Sequence, residues 1–214
     1  MSGQGSLPDS HSTRLYYAET INPRKCCAVA RHVGAQLEFV RMDLLAQETR
    51  TPEFLKLNPN GKVPVLQDGD LCLWESNAIM CRLSDMTGAE LWPHDGRQSD
   101  VLRWLFWDAE HFSRHAGRLY FEHIIKPTIL GLPQPDRNAV DQSLGFFRTF
   151  AAVLDEHLSA HRYVAADTLT VADFAIGITL PYAKDAHIPI AEFKAICRWH
   201  DRLSELKAWR EPFP

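Results

Sequence analysis

The sequence predicts two parts of different construction: a four-stranded mixed α/β layer, then an all-helical bundle. Three observations predict it. Over residues 14–90, short apolar runs alternate with helix signals in the order βαβ-ββα. Residues 91–98 are punctuated by Pro93 and Gly96 and make a linker. From 99 to 214 no strand pattern survives, and apolar residues recur at helical spacing.

The run Arg14 to Ala18, rich in aromatics and bounded by polar residues, reads as the first strand. Asn22-Pro23 looks like an N-cap followed by Pro at the first helical position, with Gly34 beyond the helix end. Leu37 to Met42 reads as the second strand. Thr51-Pro52 opens a short helix that stops near Asn58-Pro59. Val63-Pro64-Val65-Leu66 and Leu71-Cys72-Leu73-Trp74, joined across Asp68-Gly69, predict a hairpin. Glu75-Ser76-Asn77 then starts a third helix carrying Ile79, Leu83 and Met86 on one face and closing at Gly88.

In the second part Val101, Leu105, Asp108 and Phe112 share a stripe, with Trp104 and Trp107 nearby. Leu144, Phe147, Ala151, Leu154 and Leu158 mark an amphipathic helix, and Ile196, Trp199, Leu203 and Leu206 a last helical region. Pro181 should end or kink the helix before it. Thr170-Val171-Ala172-Asp173 predicts a capping box, flanked by Leu169 and Phe174 as a hydrophobic staple.

Composition narrows the function. The chain has 214 residues and a net charge of −4. No Lys/Arg run interleaves with aromatics, which argues against nucleic acid. The apolar stretches fall far short of the ~20 residues a membrane span needs. Residues 1–13 are polar, rich in Gly and Ser, and lack the apolar core of a signal peptide; a frayed arm and a cytoplasmic protein are expected. The five cysteines match neither a disulfide framework nor a zinc site, so reduced, mostly buried thiols are expected, and no metal. His111 and His115 have a metal-compatible spacing, but without a third ligand they read as solvated helix histidines.

Three segments can carry chemistry. Pro64 at the start of a strand is anomalous because it removes a ladder donor. Either it is an ordinary edge-strand Pro, or a cis Val63-Pro64 bond frees the Val63 backbone to pair with an extended peptide. Glu75-Ser76, where a strand meets a helix N-terminus, is either a plain cap or a receptor for the ammonium and carboxylate of a zwitterion. Thr20 to Pro23 is either an ordinary Asn cap or a place to stabilise a thiolate. A free thiol has a pKa of ~8.5, and lowering that to about 6.5 takes about 2.7 kcal/mol. A hydroxyl hydrogen bond to a charged sulfur supplies roughly 1.5–3 kcal/mol and a helix N-terminus about 0.3–1 more, so no strong base is required.

Together these residues resemble the cytosolic, bacterial-type glutathione transferases over essentially the whole chain after the arm. The family's Ser-x-Asn-x-x-Lys turn is similar to Thr20 through Lys25. Its Pro-Glu-Phe-x-x-x-Asn-Pro-x-Gly-x-Val-Pro-x-Leu run is present from Pro52 to Leu66. Its Glu-Ser-x-Ala-Ile signature is present from Glu75 to Ile79, and its Thr-x-Ala-Asp box from Thr170 to Asp173.

The resemblance implies a thioredoxin-like N-terminal domain, an all-α helical-bundle C-terminal domain and a homodimer. It implies glutathione as co-substrate, its thiolate adding to an electrophilic apolar partner in a detoxifying transfer. The Val63 main chain would hold the cysteinyl portion beside cis Pro64, with Lys62 near the peptide. Glu75 and Ser76 would hold the γ-glutamyl group. Thr20 would donate to the sulfur, ahead of Asn22 and then Tyr17. Relatives carry a His or Gln and a Lys before Pro-Glu-Phe to meet the glycyl carboxylate; here Thr49 and Arg50 stand there, and Arg50 is the candidate. Where some bacterial classes use a first-turn Cys, this chain has Asn22. The helix from Trp104 to His115 would line the second-substrate pocket, with Trp107, His111 and Arg114 as candidates. Two alternatives stay open: a glutathione-dependent disulfide or peroxide reductase, and a non-catalytic binding or regulatory protein on the same fold.

Overall fold

The structure, a computed structural model, describes residues 13–132 and 134–214. The arm expected over 1–13 lies outside the described residues apart from Thr13. That residue belongs to the sheet edge: its carbonyl accepts from the Glu38 N–H at 2.8 Å and its hydroxyl donates to Asp68 at 3.1 Å.

Four short strands, β1 (Arg14–Tyr17), β2 (Glu38–Arg41), β3 (Val65–Asp68) and β4 (Leu71–Trp74), form one sheet in the order β2-β1-β3-β4. β1 runs parallel to β2 and antiparallel to β3, and β3 antiparallel to β4. The sheet is therefore mixed, as the element order predicts. Leu15 pairs with Leu66, and both are fully buried. β3 begins only at Val65, because Pro64 has no N–H for the ladder. The Asp68-Gly69 hairpin forms, with Gly69 at φ 60°, a value Gly reaches without steric cost.

Helix α1 (Ile21–His32) starts two residues earlier than expected, with Thr20 and not Asn22 as its N-cap. Proline is tolerated throughout the first turn, whose N–H groups have no helical acceptor, so Pro23 can sit third. The other two helices match expectation. α2 (Pro52–Leu57) is capped by Thr51, which accepts from the Phe54 N–H, and α3 (Ser76–Thr87) ends at Gly88 with φ 67°. α1 packs against α3 beside the sheet.

The second part begins with one helical rod built of α4 (Gln98–Trp107), α5 (Ser113–Tyr120) and α6 (Lys126–Thr128), joined by π turns at Asp108–Phe112 and Phe121–Ile125. The first π turn has a visible cause. Ser113 donates its N–H to the Asp108 carbonyl and its hydroxyl to the buried Asp108 carboxylate at 2.6 Å, an i,i+5 pairing. The buried Glu122 carboxylate takes Arg118 at 2.8 Å, Lys126 at 2.9 Å and the Asp136 N–H at 2.9 Å, tying the rod to the start of α7 (Arg137–Ala160).

α7 buries Phe147, Ala151, Leu154 and Leu158, the stripe the periodicity predicts, while Leu144 is only partly buried. α8 (Val171–Ile176) carries the expected capping box: the Thr170 N–H donates to Asp173 at 2.9 Å. The Thr170 hydroxyl in turn faces the Asp173 N–H and also takes the Ala172 N–H at 3.3 Å. The chain passes into a 3-10 segment at Gly177–Tyr182, so the break comes ahead of Pro181. A Cβ on Gly177 would stand 3.0 Å from Leu203 and 3.1 Å from Trp209, so any side chain there would make these neighbours shift by a few tenths of an ångström. α9 (Lys194–Ser204) buries Ile196, Trp199 and Leu203, whereas Leu206 lies beyond it and caps α10 (Lys207–Arg210).

Candidate functional site

Two loops and two helix starts converge on a cavity of about 200 Å³. Lys62, Val63 and Pro64 form one wall, Glu75 and Ser76 another, and Asn22 stands at the α1 end. The Val63-Pro64 bond is cis, and no hydrogen bond among the described residues takes up the Val63 N–H or carbonyl. An extended ligand can therefore pair there as an added strand.

Asn58 and Asn60 also line this cavity, which sequence reasoning missed. Asn58 is buried and organises the loop: it donates to the Lys62 carbonyl at 2.7 Å and accepts from the Asn60 N–H at 3.0 Å. The signal was the Asn-Pro-Asn-Gly run, which reads equally as an ordinary turn. Arg50 is not in the wall. Its guanidinium packs behind the loop, where a Cβ on Gly61 would fall 2.7 Å from its Nη1, and it reaches the Asn60 carbonyl at 3.5 Å.

Glu75 is exposed and holds φ 73°, ψ 110°, a conformation rare for a residue with a side chain. Behind it, Lys25 of α1 is buried and donates to Asn77 Oδ1 at 2.7 Å, while the Cys26 thiol donates to the Ser76 carbonyl at 3.3 Å. Burial pushes the Cys26 thiol well above its ordinary pKa and Cys27 up to about 12, so both are protonated packing residues. Burial also lowers the Lys25 pKa, opposed by the nearby Asp108 carboxylate. Asp108 itself is pushed up to about 6, again by burial, with Lys25 opposing.

Thr20 lines a second cavity, of about 250 Å³, two residues from Asn22 in sequence. Its side chain makes no capping hydrogen bond, so the hydroxyl is uncommitted at a helix N-terminus. The other walls come from the segment after β2, including Met42, Leu44 and Leu45, and from Ile129 after the rod. Leu45 is 73% exposed, an apolar side chain beside an uncommitted hydroxyl.

The structure does not bring the remaining candidates to this place. Tyr17 is 5% exposed and stacks on Phe213 of the C-terminal tail at 5.8 Å, edge-on to Phe39 at 6.2 Å. It lines neither of the two cavities. His111 and Arg114 line a separate cavity of about 590 Å³ between the rod and α7, with His111 stacked on Phe150 at 4.5 Å. Trp107 lies edge-on to Trp104 and Phe150. The rod turns a different face to α1: Asp108 lies near Lys25, and a Cβ on Gly117 would come within 3.7 Å of Ile21. A helical face covers little more than a third of the circumference, so residues one step round the helix point elsewhere.

Comparison with known proteins gives this geometry its context. Residues 12–83 match the model of the glutathione S-transferase N-terminal domain, and residues 115–207 that of the C-terminal domain. The chain is 33% identical over 163 residues to a probable glutathione S-transferase GSTF2 of Oryza sativa subsp. japonica, covering 74% of this chain and 75% of the relative. It is 30% identical over 204 residues to glutathione S-transferase 3 of Zea mays, covering 91% and 90%. A solved structure of glutathione S-transferase-I bound with lactoylglutathione superposes with a TM-score of 0.85 at 26% identity, covering 94% and 98%. With both domain models matched in order and relatives aligned over most of its length, the chain belongs to the glutathione S-transferase family.

Proposed function

We propose that this glutathione transferase holds glutathione along Val63 and activates its thiol at Thr20. The observation that carries the reading is the convergence of three features on one cavity: the unpaired Val63 main chain beside cis Pro64, the Glu75-Ser76 turn, and the start of α1. The cysteinyl backbone of glutathione pairs with Val63. Its γ-glutamyl carboxylate meets the N-terminus of α3 at Ser76, and its ammonium meets Glu75. Lys62 stands beside the peptide, and Arg50 contributes to the glycyl end only through the loop it supports.

The sulfur then lies at the α1 N-terminus. The thiol releases its proton to solvent water, and the Thr20 hydroxyl donates to the resulting thiolate, with Asn22 as the second donor. The thiolate forms a carbon–sulfur bond with an electrophilic carbon held against Met42, Leu45 and Ile129, and the leaving group departs with its electron pair. The bound lactoylglutathione of the solved relative supports a glutathione conjugate as occupant of this fold.

Thr20→Ala tests the assignment. It should lower kcat about tenfold to hundredfold, the worth of one hydrogen bond to a charged atom, with little change in the KM for glutathione. An unchanged kcat would move the role to Asn22.

The division into a glutathione-binding domain over 14–90, a linker over 91–98 and a helical domain over 99–214 belongs to the same proposal, supported by where the strands end. So does a cytoplasmic homodimer. No helix among the described residues is long and apolar enough to cross a membrane. Phe106 is 72% exposed, one turn from the exposed Leu102 on α4, which supports an apolar subunit contact.

A further inference from the structure

We infer that Lys25 is a positioning residue for the γ-glutamyl end of glutathione, an inference that rests on the assignment of Glu75 and Ser76 above. Glu75 sits at φ 73°, ψ 110°, outside the regions a side-chain-bearing residue favours. It is also exposed, so its own packing does not hold it there. The two residues after it are held instead, by two consecutive residues of α1. Cys26 donates to the Ser76 carbonyl at 3.3 Å, and Lys25 donates to Asn77 Oδ1 at 2.7 Å.

The choice of a lysine there is costly. Lys25 is 5% exposed, and an ammonium taken out of water needs compensation. Its direct partner is a neutral amide, and among the described residues no carboxylate lies within 4.0 Å of its nitrogen. Asp108 from the rod and Glu75 attract it from farther off. A neutral side chain would anchor Asn77 at lower cost. The positive charge is explained by what arrives in front of it, a carboxylate at the start of α3 one residue from Asn77. Lys25 thereby fixes the turn and supplies an electrostatic bias toward the anionic end of the ligand, with no direct contact required.

The test compares two thiol substrates, glutathione and cysteinylglycine, which lacks the γ-glutamyl group. Wild type should prefer glutathione in kcat/KM. Lys25→Met should lower kcat/KM for glutathione about tenfold, mostly through KM, and change it less than about twofold for cysteinylglycine. Asn77→Ala, which keeps the lysine's charge but removes its grip on the turn, should show the same selective loss at smaller size. Circular dichroism and thermal melting establish that each variant folds, and if Lys25→Met does not, Asn77→Ala alone decides. Equal losses for both thiols would mean a general structural role and overturn the inference, as would no loss for either. A wild-type protein that fails to distinguish the two thiols would overturn the assignment of Glu75 and Ser76 instead.

Discussion

Trp199 of α9 donates its indole N–H to the carboxylate of Asp173 in α8 at 2.9 Å, and both residues are buried. The same carboxylate accepts the Val164 N–H at 3.0 Å and the Thr170 N–H at 2.9 Å. One side chain thus caps a helix, fixes the loop before it and ties α8 to α9. Asp173→Ala leaves several buried donors unpaired, each costing about 1–3 kcal/mol, and a loss of about 3–5 kcal/mol is expected. Urea unfolding measures it. A loss below about 1 kcal/mol would show that the capping box is dispensable.

Asp108 gives stability a pH dependence of known sign. Its pKa is pushed up to about 6 by burial in the folded chain, against an unfolded value of about 3.9. Between those values the folded state binds the proton more tightly, so this residue favours folding increasingly as pH falls from about 6 toward 4. Asp108→Asn removes that contribution. The stability of wild type relative to Asp108→Asn should therefore rise by about 1 kcal/mol between pH 7 and pH 5. A difference that stays flat or falls would mean that Lys25 and Ser113 outweigh burial.

Leu45 and Ile129 wall the cavity that holds Thr20, whereas His111 and Arg114 wall another. Truncating a large apolar contact weakens binding of an apolar ligand by about 1–3 kcal/mol, so Leu45→Ala or Ile129→Ala should raise the KM for an electrophilic aromatic about fivefold or more. His111→Ala should leave it within about twofold. Steady-state kinetics at saturating glutathione separate the two cases, and the reverse pattern would return the second-substrate site to the helix from Trp104 to His115.

Most of the glutathione half was legible because its signals are local. Pro64 after Val63, Gly69 after Asp68, Gly88 after a helical stripe and Thr170 three residues before Asp173 each fix a conformation within a few residues. The positions of Lys62, Val63, Glu75 and Ser76 around one cavity follow from those conformations. The parts that were not legible depend on contacts between distant elements. Thr20 and not Asn22 caps α1, because a first turn accepts Pro at several positions. Tyr17 lies under Phe213, nearly the whole chain away. The stripe of Leu105, Asp108 and Phe112 was visible, but which neighbouring residues face α1 depends on the π turn at Asp108, and no periodicity announces that turn. Lys25 and Cys26 carried no sign that they would grip the start of α3.

The proposed chemistry rests on Thr20 stabilising the glutathione thiolate, and the ultraviolet difference spectrum of the protein with glutathione reads that interaction itself. Titrated from about pH 5 to 9, wild type should develop a thiolate band well below the free-thiol pKa of ~8.5. Thr20→Ala should lose that early band, and Tyr17→Phe should keep it. A band that survives Thr20→Ala unchanged, or disappears in Tyr17→Phe, would contradict the role given to Thr20.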